Sequence, residues 1–518
     1  MSTSEPSDDH DQFANSESYL GVQFAVPSSE RTTRLHGATI PSLATEPTSL
    51  KPIHDPPILS LPFEVLAEIF LLYTGEIYDT DECYTNSKPG RSTPLLLAGV
   101  CRSWRDISLT TARLWTTIKI FIYSLDKTPL LAEIAKCWMA RSGQLPLSIS
   151  FSIATSILKW EMAHVYQAAP LIEVIRYYSS RWRRLTLYIP ADLYEDLTDP
   201  LTFTPVLQDL RIFPVVTQDS DRLFIFRLAK APLLSRLETS CVSVNNIQIP
   251  WLSLTTLNVD SIFVDETLEL LKLAVQLISA KFSDICGNGS VFELPTTPLT
   301  HYHLRHLDVR PEYDTFRTET SLLFQNIILP SLESFTYYAQ DYFLVNELQG
   351  FFRRSRSPII FELVIPDGNP SVTEAEFIHL LSGLSCITTL SVSVFPSPST
   401  RKIVTDCFIH QLYLSPDFLP NLEVLNFFGM HGFSWESIAD LWLSNRIGLK
   451  LRHVNIKLCN EDKPGSLPFY IDKDSLTRMH GPNLRLPNKQ ATLNITDHTT
   501  GMDMISASLA FHGLTLKV

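Results

Sequence analysis

His301, His303 and His306 come closest in this chain to metal-ligand spacing, since zinc needs three or four converging nitrogen or sulfur donors. On a strand His301 and His303 share a face while His306 lies on the other, so the set reads as three surface or edge histidines. Gly287-Asn288-Gly289-Ser290 has the glycines of a phosphate-binding turn. It lacks the following lysine and the strand-to-helix setting, and reads as a plain turn. Arg181-Trp182-Arg183-Arg184 and Arg353-Arg354-Ser355-Arg356 are small basic patches, read as solvated repeat edges. A phosphate on Ser355 or Ser357 would neutralise the nearby arginines. P-loop, zinc-protease, nucleophile-elbow and EF-hand patterns are missing from the sequence, so no catalytic, cofactor-binding or metal-ligating residues are expected. The chain is expected to be non-catalytic.

The wider composition agrees with a folded chain. Its 518 residues, 45% hydrophobic and 19% charged, exceed what one ordinary core organises and suit several domains, or one small domain plus a repeat array. A net charge of −13 would repel a nucleic-acid backbone, and nucleic acid is not expected as a partner. Prolines (34) outnumber glycines (18), which disfavours a glycine-looped nucleotide enzyme. The eight cysteines are scattered without a CxxC pair and read as reduced, mostly buried thiols. The N-terminal stretch has neither a basic start nor an apolar run, and no uninterrupted apolar stretch is long enough to span a membrane. A cytoplasmic or nuclear location, with no membrane partner, is expected.

Residues 1–55 have few regularly spaced large apolar residues and read as a flexible tail. From Ile58 the pattern changes. Leu61, Val65, Leu66, Ile69, Phe70 and Tyr73 recur at three- and four-residue steps, predicting a helix with one apolar stripe and Pro62 in its first turn. Residues 75–93 are polar and acidic and read as an inserted loop. Leu97, Val100, Cys101, Trp104 and Ile107 then resume helical spacing, followed by Leu114, Trp115, Ile118 and Ile120.

The run SLPFEVLAEIF, then LLLAGVCRSWRDI, then ARLWTTIKI resembles the F-box, a small helical module. The order Leu61-Pro62, Glu64, Leu66, Ile69-Phe70, Val100-Cys101, Trp104-Arg105 and Leu114-Trp115 carries the likeness. The 75–93 insertion departs from the compact form and is similar to the interrupted F-boxes of large fungal families. The resemblance implies that Leu61, Pro62, Leu66, Ile69, Phe70, Val100, Cys101, Trp104, Leu114 and Trp115 divide between an internal core and a surface that docks on a Skp-family adaptor. Through that adaptor the family reaches a cullin-based ubiquitin ligase.

Further along, an apolar-x-x-apolar-x-apolar motif recurs. It appears at Trp182/Leu185/Leu187, Leu207/Leu210/Ile212, Leu254/Leu257/Val259, Leu304/Leu307/Val309, Leu332/Phe335/Tyr337, Ile360/Leu363/Ile365, Ile387/Leu390/Val392, Leu422/Leu425/Phe427 and Leu451/Val454/Ile456, with weaker copies from Leu234 and Leu277. The phrases LPSLESF and LPNLEVL resemble leucine-rich repeats. Between the copies, Thr373 with Glu376 predicts a capping box, and Asp265 and Ser434 precede further helical patterns.

The expected fold is therefore α/β: a small N-terminal helical F-box followed by a leucine-rich-repeat solenoid with a parallel sheet. The expected divisions are a tail at 1–55, the F-box at 56–122, repeats at 123–460 and a cap or irregular end at 461–518. The implied function is substrate recognition in a Skp-cullin-F-box ligase, with an unidentified protein substrate. The alternative is a leucine-rich interaction scaffold with no role in ubiquitin transfer.

Overall fold

The computed structural model describes residues 57–75, 93–154, 166–198, 202–215, 224–312, 317–339, 343–366, 372–395, 402–430, 432–443, 450–459, 470–480 and 492–514. The expected tail, and the expected loop except at its ends, lie outside them. The chain is mixed α/β and divides into two compact units, Met1–Leu145 and Pro146–Val518.

In the first unit Pro62, which has no N–H to leave unpaired, stands just ahead of helix α1 (Phe63–Gly75). Its carbonyl accepts from the amides of Val65 and Leu66, each at 3.1 Å. Helix α2 (Pro94–Val100) opens on a proline and ends where Cys101 becomes extended. Helix α3 (Arg102–Thr110) starts there, with Cys101 Sγ accepting from the Trp104 amide at 3.5 Å. A 3-10 turn at Ala112–Trp115, strand β1 (Thr117–Ile122) and helix α4 (Thr128–Arg141) follow. Leu66, Phe70, Leu97, Ile107, Leu114 and Trp115 are buried. The Trp115 ring meets Trp138 of α4 edge-on at 4.7 Å, and its Nε1–H donates to the Ser108 carbonyl at 2.8 Å.

In the second unit the chain alternates between strand and return segment. Successive strands Leu147–Ile153, Trp182–Tyr188, Asp209–Ile212, Arg236–Ser240, Thr256–Phe263, Ser279–Cys286, His306–Pro311, Ser334–Tyr338, Ile360–Ile365, Thr389–Val394, Val424–Gly429, His453–Leu458 and Thr492–Asp497 each pair in parallel with the next. Because the side-chain period is two, one set of residues faces inward throughout. Leu185, Leu210, Leu237, Leu257, Ala280, Leu307 and Phe335 form one buried column, and Leu187, Ile212, Thr239, Val259, Phe282, Val309 and Tyr337 the next. The return helices supply the opposite wall: Phe335 contacts Phe351 and Phe352 of helix Val345–Arg354, with ring centroids at 5.9 and 5.3 Å.

Each sequence copy of the motif falls on or beside a strand, but one frame is shifted. Phe361, not Leu363, pairs with Phe335, and Leu363 pairs with Tyr337, so this copy runs two residues earlier than the motif Ile360/Leu363/Ile365. Phe361, Leu363 and Ile365 are all buried and fit either frame, so the pairing with the neighbouring strand selects between them. The sheet also extends past residue 460, where the spacing loses its rhythm, through the strand Thr492–Asp497. Thr373 and Glu376 form the expected capping box.

Three consecutive strands leave regular geometry at matching points. Ser240, Asp260 and Ser283 pair across the sheet, and the residues after them, Cys241, Ser261 and Asp284, have φ of 55, 56 and 48°. These non-glycine residues in left-handed backbone bend the strand ends together.

Candidate functional site: an apolar helical surface and a polar sheet face

The ten residues singled out from the sequence separate by burial. Leu66, Phe70, Leu114 and Trp115 lie in the core of the first unit. Cys101 and Trp104 are half-buried, with the Trp104 ring 4.8 Å from Phe70. Leu61, Pro62, Ile69 and Val100 are exposed, Val100 by 60%.

Helix α1 explains the division. The sequence predicts a single apolar stripe, whereas the folded helix has two. Leu66, Phe70 and Thr74 recur every four residues and point inward, and Thr74 satisfies its buried hydroxyl on the Phe70 carbonyl at 2.9 Å. Val65, Ile69, Leu72 and Tyr73 form a second stripe in solvent, with Leu72 70% exposed. Clustered exposed apolar side chains of this size mark association surfaces. Phe63, Leu72 and Leu96, which the motif reading did not select, extend the exposed set. Phe63 and Leu72 extend the surface along α1, where Glu64 and Glu68 are the exposed charges, and Leu96 adds to it from α2.

Next to this stripe is an open groove of about 520 Å³, lined by Leu59, Leu61, Phe63, Leu66, Arg102, Ser103, Asp106 and Ile107. Five of these eight are apolar, and α3 contributes Arg102, Ser103, Asp106 and Ile107. Arg105 on the same helix is tied back by Nε donating to the Ala98 carbonyl at 3.0 Å.

The second unit carries a different surface. Facing away from the buried columns, the side chains of Thr186, Arg211, Glu238, Asn258, Lys281, Asp308, Thr336, Glu362, Ser391, Asn426, Asn455 and Asn494 succeed one another across the sheet, Thr186 buried, Lys281 and Asn494 exposed and the others half-buried. They form three electrostatic zones. Early in the sheet, the buried Asp209 carboxylate lies 3.1 Å from Arg184, 3.4 Å from Arg211 and 3.9 Å from Arg236. In the middle, Asp260, Asp284, Asp308 and Glu362 accompany Lys281 and Arg310, and Arg310 pairs with Asp284 at 3.5 Å. Burial raises the Asp308 carboxyl to about 6 against the pull of Lys281. Burial, with a hydrogen bond to Glu312, pushes the Cys286 thiol up to about 12. Late in the sheet the zone is neutral: Asn494 donates to Asn455, Asn455 to Asn426 and Asn426 to Ser391, at 2.8, 2.9 and 3.0 Å.

The other candidates resolve into structural roles. His301 is buried, not at the surface: its Nδ1 accepts from the Leu304 amide at 3.1 Å, so Nε2 carries the proton and donates to the Ala274 carbonyl at 3.1 Å. His303 and His306 are exposed. Among the described residues no group of three or more His, Cys, Asp or Glu side chains is placed to hold a metal ion. The turn at Gly287–Ser290 is already occupied by an anion of the chain itself. Asp265, buried in the first turn of helix Val264–Leu273, accepts from the amides of Gly289, Val291 and Phe292, each at 2.8 Å. Ser355 Oγ accepts from the Leu329 amide at 2.9 Å, and Arg354 donates to the Phe324 carbonyl at 2.8 Å.

The expectation of mostly buried thiols is corrected. Of the described cysteines only Cys459 is buried; Cys137, Cys241, Cys386 and Cys407 are exposed, and none is in a disulfide. No described helix is long and apolar enough to cross a membrane. Compared with known families and characterised proteins, the chain matches no family model and no curated sequence.

Proposed function

We propose that the chain is a substrate-recognition subunit of a Skp-cullin-F-box ubiquitin ligase. In this reading residues 56–122 are an F-box whose exposed apolar surface seats a Skp-family adaptor, and the strand-and-return array presents a target protein. The observation that carries it is the division of the F-box-like residues into an internal core (Leu66, Phe70, Leu114, Trp115) and an exposed set (Leu61, Pro62, Ile69, Val100) beside an apolar groove. A merely self-contained helical core would not need a second apolar stripe on α1. The chain would do no bond chemistry; it would raise the effective concentration of a substrate lysine near a charged ubiquitin-conjugating enzyme.

Co-purification of the whole chain with a Skp-family adaptor tests this. Wild type is expected to bind one to one. Leu61→Asp and Ile69→Asp, both at exposed positions, are expected to keep the wild-type melting temperature and lose the adaptor, because a few apolar anchors dominate such interfaces. Wild-type binding by both variants would remove this surface from the account. Adaptor binding without stimulated ubiquitin transfer to any bound protein would favour the leucine-rich scaffold.

A further inference from the structure

We infer that the arginine zone of the sheet face, at strands Trp182–Tyr188, Asp209–Ile212 and Arg236–Ser240, docks an extended, carboxylate-rich polypeptide segment. The inference stands whether or not the helical unit seats an adaptor.

Arg184, Asp209 and Arg236 are directly paired neighbours on adjacent strands. Asp209 is 7% exposed, and both flanking guanidinium groups lean onto the same carboxylate oxygen, Oδ2. Arg211, two residues along the central strand, completes the set by bridging Asp209 and Glu238 at 3.4 Å each. Three cations against two anions leave a surplus positive charge on a chain of net −13. Arg184 and Arg236 remain 43 and 50% exposed along their side chains. A buried carboxylate that hydrogen-bonds Arg184 and attracts Arg236 while leaving part of each in solvent holds both ready for carboxylates from outside.

Sharing Oδ2 at 3.1 and 3.9 Å holds the two contacting nitrogens no more than about 7 Å apart, close enough for successive same-side residues of an extended chain, whose i to i+2 repeat is about 6.8 Å, to reach both guanidinium groups. Beside them, Ser148 pairs with Arg184 and Thr256 with Arg236, offering hydroxyls and no further charge. A continuous polyanion such as a nucleic acid would run on into Asp260, Asp284 and Asp308 and be repelled. A peptide can confine its carboxylates to one end.

The test is fluorescence anisotropy of a labelled ten-residue Glu-Ser alternating peptide with the whole chain at low and high salt. Saturable binding that salt weakens, and that falls at least tenfold in Arg184→Gln/Arg236→Gln, is expected, with Arg353→Gln/Arg356→Gln unchanged. Arg211 still holds Asp209 in the first variant. Should that variant not fold, protection of wild-type Arg184 and Arg236 from phenylglyoxal by the peptide, read by mass spectrometry, gives the same answer. The inference is overturned by no saturable binding, by no such protection, by binding that survives the double substitution, or by binding of only a phosphoserine peptide. Tighter binding of a single-stranded oligonucleotide at these arginines would also overturn it.

Discussion

Two tryptophans in the first unit show how burial decides what a side chain contributes. Trp115 is 2% exposed, bonded through its ring nitrogen and packed against Trp138, with Arg141 stacked 4.9 Å from the ring centroid. Trp104 is half-buried, and its enclosed Nε1 has no hydrogen-bond partner in the fold. Trp115→Ala should therefore cost about 3–5 kcal/mol, as full truncation of a core aromatic does, and Trp104→Ala clearly less. Denaturant unfolding of both variants measures the difference; equal losses would contradict the ranking. On the sheet face, Asp308 holds its proton to about 6 in the fold against an ordinary value of 3.8, mainly through burial, and its Oδ1 lacks a partner. Since the folded state binds that proton more tightly, the group's favourable contribution is full below about pH 4 and is lost as pH rises through about 6. Asp308→Asn should thus stabilise the protein at pH 7.5, by about 1–2 kcal/mol once solvent screening is allowed for, and the gain should vanish at pH 4. Melting curves at the two pH values check the sign.

Among the elements, strands were far easier to read than surfaces. The apolar motif located the strands because a two-residue alternation survives any change in the return segment, and Thr373 with Glu376 announced its helix because capping chemistry is local. What escaped had non-local causes. Whether Phe361 or Leu363 lies opposite Phe335 depends on a neighbouring strand, and the role of Asp265 depends on amides 24 to 27 residues away. The candidate adaptor surface was half legible: spacing named its residues, but helical periodicity alone could not tell the inner stripe of α1 from the outer one. Gly429, at the end of its strand, shows how closely two such strands approach. It has φ of 144°, and a Cβ there would lie 2.4 Å from the Val394 carbonyl oxygen. Backbone cannot yield as a flexible side chain can, so Gly429→Ala should destabilise by about 2–4 kcal/mol and lower the melting temperature. A neutral substitution would mean that the approach relaxes freely.

Over the whole molecule, charge is distributed by zone, which the net value of −13 conceals. Arginines gather early in the sheet face, carboxylates in the middle and amides late, so the two directions across the face are electrostatically distinct.

The strict pairing of each strand with its sequence neighbour also bears on ancestry. When a strand and its return segment are copied or excised together, the two sides rejoin at equivalent positions and every surviving register is kept. Chain length is then open to change by unequal recombination, and recognition surface can be gained or shed in whole units while the two flanking neighbours still fit. Strands some 20 residues apart and others more than 30 sit in one unbroken series of registers, so the return segments already absorb such changes in length.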